Sequence, residues 1–284
     1  MQAPFLVLSL CVCASACVPA CVSSASGGAR SPSDAVVARS AVAPALGETA
    51  PGETTVTASY DPCPPAGTPC KIMPLGDSIT AGAGSTRNGS YRVELFRRAL
   101  QARQRITFVG SDTGGPGKVD GVAFPAAHEG HSGYTIDDGG GRSGIAPLVA
   151  AAMASYRPNI VTLMIGTNDV DIRLDPANAP ARLGALIDTI QAADPNVLVV
   201  LAKIVPTVSN AEDVAVVAYN EAMPALVASR VQSGKHVVLV DMHAAFKKNP
   251  NFASDYMTDN LHPNDAGYAV MGGVWYAALG PHLR

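Results

Sequence analysis

Short apolar runs alternate with stretches of helical spacing from residue 71 to the end of the chain. The runs predict buried strands at residues 71–75, 106–109, 160–165, 197–205 and 236–240. The stretches that follow them predict helices at residues 91–103, 145–156, 179–193, 214–231 and 265–279. In the first helix, Val93, Phe96 and Leu100 share one apolar face.

Five continuously apolar strands separated by helices indicate an α/β fold with a parallel sheet that helices cover on both faces. In such folds the functional groups lie outside the carboxyl ends of the strands. Polar motifs that carry chemistry should therefore follow strands directly. Each of the motifs described below falls near the end of a predicted strand or just before the last helix.

The first 60 residues have a different composition from the rest of the chain. An apolar run at residues 5–10 and small residues after it are typical of a signal peptide, which we place at residues 1–21. Residues 22–60 are rich in Ser, Ala, Gly, Thr and Pro without apolar periodicity, and they predict a flexible linker. Residues 61–284 are then long enough for a single α/β domain.

Four of the six cysteines lie within the predicted signal peptide. The small residues before Cys17 and Cys21 loosely resemble a bacterial lipoprotein processing site, so a lipid anchor at either cysteine is one hypothesis and simple cleavage is the other. Cys63 and Cys70 flank a turn-forming Pro-rich segment, and a disulfide between them suits an exported protein. The alternative is a pair of free thiols.

Composition and charge exclude several classes of protein. Hydrophobic residues make up 48% and charged residues 15% of the 284 residues, which is typical of a globular chain and not of a disordered one. The net charge is −3 and no basic patch stands out, so we expect no nucleic-acid partner. The N-terminal apolar run is shorter than the ~20 residues that a transmembrane helix needs.

Ser78 follows the first predicted strand directly, beside Gly76 and Asp77. A serine hydroxyl is a weak nucleophile unless a base activates it, so the chain must also supply a histidine and an acid that orients it. Asp259 and His262 fit, because residues three positions apart can face the same side of a helical turn. Alone, Ser78 could equally belong to a turn with a helix cap.

Two more motifs supply candidate donors for an oxyanion. Asn168 follows the central strand, where its amide could donate a hydrogen bond or simply form an Asx turn. Gly133 lies after a further predicted strand end at residues 122–124, and a glycine there could let a backbone N–H approach the oxyanion closely.

These blocks together resemble the SGNH (GDSL-type) hydrolase superfamily, whose four blocks centre on Ser, Gly, Asn and His, here Ser78, Gly133, Asn168 and His262. Four segments are similar to carbohydrate esterase family three, which contains acetylxylan esterases: residues 72–80 (IMPLGDSIT), 89–92 (GSYR), 128–133 (HEGHSG) and 262–268 (HPNDAGY). The resemblance implies a flavodoxin-like three-layer α/β/α sandwich. The predicted signal peptide indicates a secreted or cell-surface protein.

The resemblance also implies a role for each residue. Ser78 is the nucleophile, His262 the general base and then acid, and Asp259 the group that orients the imidazole. The Ser78 and Gly133 N–H groups and the Asn168 side chain form the oxyanion hole. No metal or organic cofactor is needed. The expected substrate is an acetylated polysaccharide or oligosaccharide, such as acetylated xylan.

Two alternatives stay open: a lipase or thioesterase that acts on longer acyl chains, and a carbohydrate-binding protein that kept the fold without activity. The sequence shows no obvious apolar lid and only 5% aromatic residues, which favours small acyl groups.

Several other polar residues have more than one interpretation. His128, Glu129 and His131 lack the spacing of a helical metal motif, so we expect them to support the oxyanion loop. Tyr91 and Arg92 either position the first helix or touch the substrate. Asp77 and Asp169 are expected to shape their turns, and Trp275 is expected to lie in the core. Asp241 and His243, which follow the last predicted strand, are either structural or line the cleft.

Overall fold

The computed structural model describes residues 60–284. Its strands are β1 (Cys70–Gly76), β2 (Ile106–Phe108), β3 (Asp112–Thr113), β4 (Lys118–Val119), β5 (Val122–Ala123), β6 (Ala127–Gly130), β7 (Ile160–Met164), β8 (Leu198–Lys203) and β9 (Val237–Asp241). Its α-helices are α1 (Ser78–Ala81), α2 (Arg92–Gln101), α3 (Ala146–Tyr156), α4 (Thr167–Asp171), α5 (Ala179–Ala193), α6 (Asn210–Gln232), α7 (Met242–Lys247), α8 (Phe252–Asp255) and α9 (Asp265–Leu279). The predicted signal peptide, Cys17, Cys21 and the linker up to residue 59 lie outside the described residues.

The central sheet contains the five predicted strands, all parallel, in the order β2–β1–β7–β8–β9. Leu75, Leu163 and Leu201 lie side by side across β1, β7 and β8. These strands are buried on both faces, which explains their unbroken apolar runs. The five predicted strands and their parallel pairing are therefore confirmed, but the whole sheet has seven strands and not five.

Two further strands, β6 and β3, extend this sheet. β2 pairs with the first three residues of β1, and β6 pairs in parallel with the last two residues of β1, Leu75 and Gly76. β3 lies antiparallel to β6 at the edge. The same edge of β1 thus carries β2 at its start and β6 at its carboxyl end.

The helices form two layers around the sheet. α2 packs against α9, which also contacts α7, whereas α5 packs against both α3 and α6. The arrangement is the expected three-layer α/β/α sandwich. α5 and α9 begin and end at the predicted residues, and the other predicted helices differ by a few residues at their ends.

The buried face of α2 differs from the predicted one. Leu95, Phe96 and Ala99 are buried, whereas Val93 and Leu100 are only half-buried. The charged Arg92 is also fully buried, so the helix is rotated toward a face that apolar spacing alone does not identify.

The strand predicted before the Gly133 motif was misplaced. Val122 and Ala123 form β5, which pairs only with β4 in a small hairpin outside the main sheet. The strand that leads into the motif is β6, whose sequence Ala-His-Glu-Gly has no apolar run. Its buried positions are occupied by His128 and Glu129, so hydrophobic patterning could not reveal it.

The start of the domain is tied to its body by two features. Cys63 and Cys70 form a disulfide at the beginning of β1. The ring of Tyr60, which the sequence assigned to the linker, stacks on His236 with 3.5 Å between centroids, so the packed region reaches at least to Tyr60. Within residues 60–284, no helix is long and apolar enough to cross a membrane.

Candidate active site

Ser78 is the first residue of α1, immediately beyond the carboxyl end of β1. Asp77 caps this short helix, and its Oδ1 accepts a hydrogen bond from the Ile79 N–H at 3.0 Å. The turn leaves the Ser78 side chain partly accessible while Asp77 and Ile79 on either side are buried. The sheet end therefore presents one hydroxyl to the solvent-accessible edge.

His262 lies against Ser78, with 2.9 Å between Ser78 Oγ and His262 Nε2. The other ring nitrogen, Nδ1, is 2.9 Å from Asp259 Oδ2 and 3.1 Å from Asp259 Oδ1. The three side chains thus form one continuous hydrogen-bonded chain from hydroxyl to carboxylate.

Asp259 and His262 do not lie on a helical turn, in contrast to the sequence-based expectation. They lie in a bend between Met257 and Pro263, which form an isolated antiparallel bridge. Asp259 Oδ1 accepts hydrogen bonds from the backbone N–H groups of Leu261 and His262, both at 2.8 Å. This Asx turn brings the Asp259 carboxylate against the His262 ring without a helix.

The carboxylate of Asp259 is about half exposed, with 55% of its side chain accessible. Burial alone would raise the pKa of Asp259, but the hydrogen bonds from the His262 ring and from the two backbone N–H groups lower it. Asp259 is therefore ionised at neutral pH and can hold a proton on His262 Nδ1.

Gly133 and Asn168 belong to the segments that follow β6 and β7. Gly133 has a φ of +81°, a left-handed conformation that favours glycine. Among residues 60–284, the backbone N–H groups of Ser78 and Gly133 donate to no protein acceptor. They are two donors that a bound oxyanion could use.

Asn168 lies in the first turn of α4 and is buried. Its Nδ2 donates to the Tyr134 carbonyl at 2.8 Å, and its Oδ1 accepts from Arg142 Nη1 at 3.1 Å. One of the two Nδ2 hydrogens is thus committed to Tyr134, and the second has no acceptor within the described part of the chain. Arg142 was not identified from the sequence, where it is a lone arginine after three glycines.

Two buried aspartates brace the turns on which Ser78 and Asn168 lie. Burial raises the pKa of Asp77 to about 6, against the opposing hydrogen bond from the Ile79 N–H. Asp169 accepts from the Ile136 N–H at 3.0 Å and pairs with Arg182 at 2.8 Å. Both residues shape their turns, as the sequence suggested.

The polar residues of β6 also have local partners. His131 Nε2 lies 2.9 Å from Glu129 Oε1, and Glu129 Oε2 accepts from the Ser111 N–H at 2.7 Å. Burial, and next the charge of Arg92, lower the pKa of His128 to about 4, so its ring is neutral at neutral pH. Within residues 60–284, no group of three His, Cys, Asp or Glu side chains is placed to hold a metal ion.

Arg92 and Tyr91 position other parts of the chain. Arg92 is fully buried and donates to the carbonyls of Asn88, Gly114 and Ala126 at 2.7–2.9 Å. The buried Tyr91 hydroxyl lies 3.2 Å from Thr80 Oγ1. Because both side chains are buried, they position neighbouring segments and do not contact a substrate directly.

Three residues near the last strand and in the last helix have structural partners. Asp241 caps α7 through the Ala244 N–H and pairs with Lys203 at 2.7 Å. His243 lies 3.1 Å from Asp213. Trp275 is fully buried in the core.

Comparison with known proteins agrees with this geometry. The model of the GDSL-like lipase/acylhydrolase family matches residues 75–270. A family 3 carbohydrate esterase from Clostridium thermocellum is 33% identical, with a TM-score of 0.63 over 74% of this chain and 94% of that one. The chain therefore belongs to the GDSL-like lipase/acylhydrolase family and, within it, to carbohydrate esterase family 3. Its domain at residues 60–284 is a carboxylic ester hydrolase domain.

Two further relatives support the assignment. An acetyl esterase mutant whose crystal structure contains an acetate ion is 28% identical, with a TM-score of 0.62 over 75% of this chain and 97% of that one. A multidomain esterase from Ruminococcus flavefaciens is 31% identical over 236 residues. The match covers 75% of this chain but 29% of that esterase, so the chain spans less than a third of its length.

Proposed function

We propose that this protein is a serine esterase that removes small acyl groups, acetyl above all, from carbohydrate esters such as acetylated xylan. The observation that carries the proposal is the hydrogen-bonded chain Ser78–His262–Asp259, with 2.9 Å at each junction. It lies at the carboxyl edge of a parallel sheet, where functional groups of this fold gather.

The first half of the reaction forms an acyl-enzyme. Ser78 Oγ attacks the ester carbonyl as its proton passes to His262 Nε2, and Asp259 stabilises the imidazolium that results. The bond between the acyl carbon and the sugar oxygen then breaks, and His262 gives its proton to the departing sugar alkoxide.

The second half releases the acid. Water gives a proton to His262 Nε2 as its oxygen attacks the acyl carbon, and the bond to Ser78 Oγ breaks with return of that proton. The products are a free carboxylic acid and the original serine, so neither a cofactor nor a metal is required for balance.

The negative oxygen of each tetrahedral intermediate needs hydrogen-bond donors. The N–H groups of Ser78 and Gly133 and the uncommitted hydrogen of Asn168 Nδ2 supply three. Losing one such donor costs ~3–4 kcal/mol of transition-state stabilisation in serine hydrolases.

The preference for acetyl rests on two supports. One is the likeness to a family 3 carbohydrate esterase and to an acetyl esterase whose crystal structure holds acetate. The other is the low aromatic content of the chain, 5%, without an evident apolar lid in the sequence.

The mechanism is tested with Ser78→Ala and p-nitrophenyl acetate. We expect kcat/KM to fall by at least ~10³-fold, because the nucleophile is lost while the remaining site stays intact. Retained hydrolysis in a folded Ser78→Ala protein would show that Ser78 is not the nucleophile.

The substrate is tested separately. Purified enzyme should release acetate from acetylated xylan and should prefer p-nitrophenyl acetate to the butyrate and octanoate esters. A preference for octanoate would instead favour the lipase or thioesterase alternative.

Export and domain organisation belong to the same proposal: a signal peptide at residues 1–21, a linker after it, and a catalytic domain that the packing of Tyr60 extends to residues 60–284. The Cys63–Cys70 disulfide supports an oxidising compartment. Mass spectrometry of the exported protein should show cleavage within or just after residues 1–21. A lipid-bearing N-terminal Cys17 or Cys21 would identify a cell-surface anchor, and an intact N-terminus would contradict export by this route.

A further inference from the structure

Arg142 ends a tight turn in the glycine-rich segment between Gly133 and α3. Gly139 and Arg142 exchange backbone hydrogen bonds in both directions, at 2.9 and 3.0 Å. The two residues between them, Gly140 and Gly141, have φ of +58° and +78°, as a two-residue type I′ turn requires. This turn explains the glycine run and fixes the backbone from which the Arg142 side chain extends.

The guanidinium of Arg142 joins the two segments that carry the proposed oxyanion donors. Its Nη1 donates to the Gly133 carbonyl at 3.3 Å and to Asn168 Oδ1 at 3.1 Å. Its Nη2 donates to Asp171 Oδ2 at 3.3 Å, on the same short helix as Asn168. One side chain therefore holds both Gly133 and Asn168.

These contacts determine which way the Asn168 amide points. A guanidinium can only donate hydrogen bonds, and a backbone carbonyl can only accept them. Arg142 therefore requires Asn168 Oδ1 on its side, and the Tyr134 carbonyl requires Nδ2 on the other. A flipped amide would set donor against donor and acceptor against acceptor.

We propose that Arg142 is a positioning residue of the oxyanion hole, which orients the Asn168 amide and the Gly133 backbone toward the negative oxygen of the tetrahedral intermediate. The proposal rests on the esterase function proposed above. Arg142 touches neither the substrate nor the reacting atoms in this scheme and acts through Asn168 and Gly133.

The charge of Arg142 adds an electrostatic effect to the geometric one. A cation bonded to the carbonyl oxygen of an amide polarises the amide and strengthens its N–H as a donor, since linked hydrogen bonds reinforce one another. The strengthened donor matters most when the oxygen it faces becomes negative. The effect of Arg142 should therefore appear in kcat and not in binding of the uncharged ester.

The test compares Arg142→Ala and Arg142→Lys with Arg97→Ala. Arg97 is a matched control because its side chain is 35% exposed, against 34% for Arg142, and it too pairs with carboxylates, those of Glu94 and Asp120. With p-nitrophenyl acetate, we expect Arg142→Ala to lower kcat by about tenfold or more, below the ~10²–10³-fold loss that follows removal of an oxyanion donor itself. KM should stay within about twofold, and Arg97→Ala should resemble the wild type.

Two further readouts separate positioning from a general structural role. Added guanidinium ion at millimolar concentration should restore part of the kcat of Arg142→Ala but not of Ser78→Ala. Arg142→Lys should lie between wild type and Arg142→Ala, because a single ammonium cannot bond Gly133, Asn168 and Asp171 in the same fork geometry. Melting temperatures should match across the arginine variants.

Three results would overturn the inference. The first is a kcat of Arg142→Ala equal to that of Arg97→Ala, and the second is a rise in the KM of Arg142→Ala with kcat unchanged, which would make Arg142 a substrate contact. The third is a loss of activity in both Arg142→Ala and Arg142→Lys that is accounted for by a loss of folded protein. Ser78→Ala measured in parallel separates the two proposals. If it is inactive while Arg142→Ala is normal, only the role of Arg142 fails; if it is active, the proposed function fails too.

Discussion

Asp77 is a fully buried carboxylate beside the proposed nucleophile. Its Oδ1 accepts the Ile79 N–H, whereas its Oδ2 has no hydrogen-bond partner within residues 60–284. Burial raises the pKa of this group to about 6 from an ordinary value of 3.8. The folded protein therefore binds a proton at Asp77 more tightly than the unfolded chain does, so stability falls as the pH rises from about 4 to about 6, and the loss stays constant at higher pH.

The substitution Asp77→Asn should increase stability relative to wild type as the pH rises. An asparagine keeps the oxygen that caps α1 but cannot ionise. Between pH 4 and pH 7.5, the difference in unfolding free energy, variant minus wild type, should grow by about 2 kcal/mol, since each pKa unit corresponds to about 1.4 kcal/mol. Urea unfolding at several pH values measures it, and a difference that shrinks with rising pH would contradict the burial argument.

Asp259→Asn should leave the His262 loop folded but misorient the ring. The asparagine oxygen still accepts the Leu261 and His262 N–H groups, while its NH₂ faces His262 Nδ1 and makes that nitrogen an acceptor. Nε2 then carries the proton and cannot take one from Ser78. We expect kcat to fall by about 10²-fold or more, toward the ~10⁴-fold seen when a buried triad aspartate is changed in this way.

The control for this change is Asp255→Asn. Asp255 is exposed, lies shortly before the His262 loop, and accepts hydrogen bonds from Asn249 and Ser254. Its kcat should match the wild type. If the activity of Asp259→Asn also matched the wild type, Asp259 would not be the orienting acid, whatever the distance to His262.

At the scale of elements, the sequence predicted best where one physical cause dominates. β1, β7 and β8 are apolar because both of their faces are buried, and α5 and α9 have clear limits: Asp194 before Pro195 ends one, and Asn264 caps the other. β6 escaped prediction because its buried positions hold His128 and Glu129, whose burial depends on partners distant in sequence.

The candidate site divides in the same way. Ser78, Asn168 and His262 could be proposed from the sequence because they follow strands or precede the last helix in a recognisable order. The Asx turn of Asp259 and the contacts of Arg142 could not, because they depend on loop conformation and on segments that meet only in the fold. A pair of glycines predicts a turn, but not what the residue after it will touch.

Arg92 shows what a single buried side chain does for an element. Its guanidinium bonds the Asn88, Gly114 and Ala126 carbonyls and so connects α2 to the loops on either side of β4 and β5. Arg92→Met should lower the unfolding free energy by about 3 kcal/mol or more, because three carbonyls lose their donor at ~1–3 kcal/mol each.

Arg98→Met on the same helix is the matched control, since Arg98 is exposed and, within residues 60–284, forms an ion pair with Glu94 alone. It should cost at most about 1 kcal/mol, as surface ion pairs do. Urea unfolding compares the two, and faster proteolysis within residues 110–126 should accompany Arg92→Met alone. Equal costs for the two variants would show that the buried bonds of Arg92 contribute little.

At the scale of the whole molecule, the two ends of β1 have different roles, since one carries the disulfide and the other leads to the proposed nucleophile. Cys70 begins the strand and is bonded to Cys63, whereas Ser78 follows its other end. A strand rises ~3.3 Å per residue, so the eight steps from Cys70 to Ser78 span roughly 25 Å. The disulfide therefore lies at the amino edge of the sheet, away from the candidate site.

This separation predicts that the disulfide contributes to stability without affecting catalysis. Replacing both Cys63 and Cys70 by Ala should lower the unfolding free energy by about 2–3 kcal/mol, the chain-entropy value for a loop of this length. The kcat on p-nitrophenyl acetate, measured well below the melting temperature, should stay within about twofold of wild type, because Ser78 and the Cys63–Cys70 bond lie at opposite ends of β1. A fall in kcat without a fall in stability would instead mean that strain at the start of β1 is transmitted along the strand to Ser78.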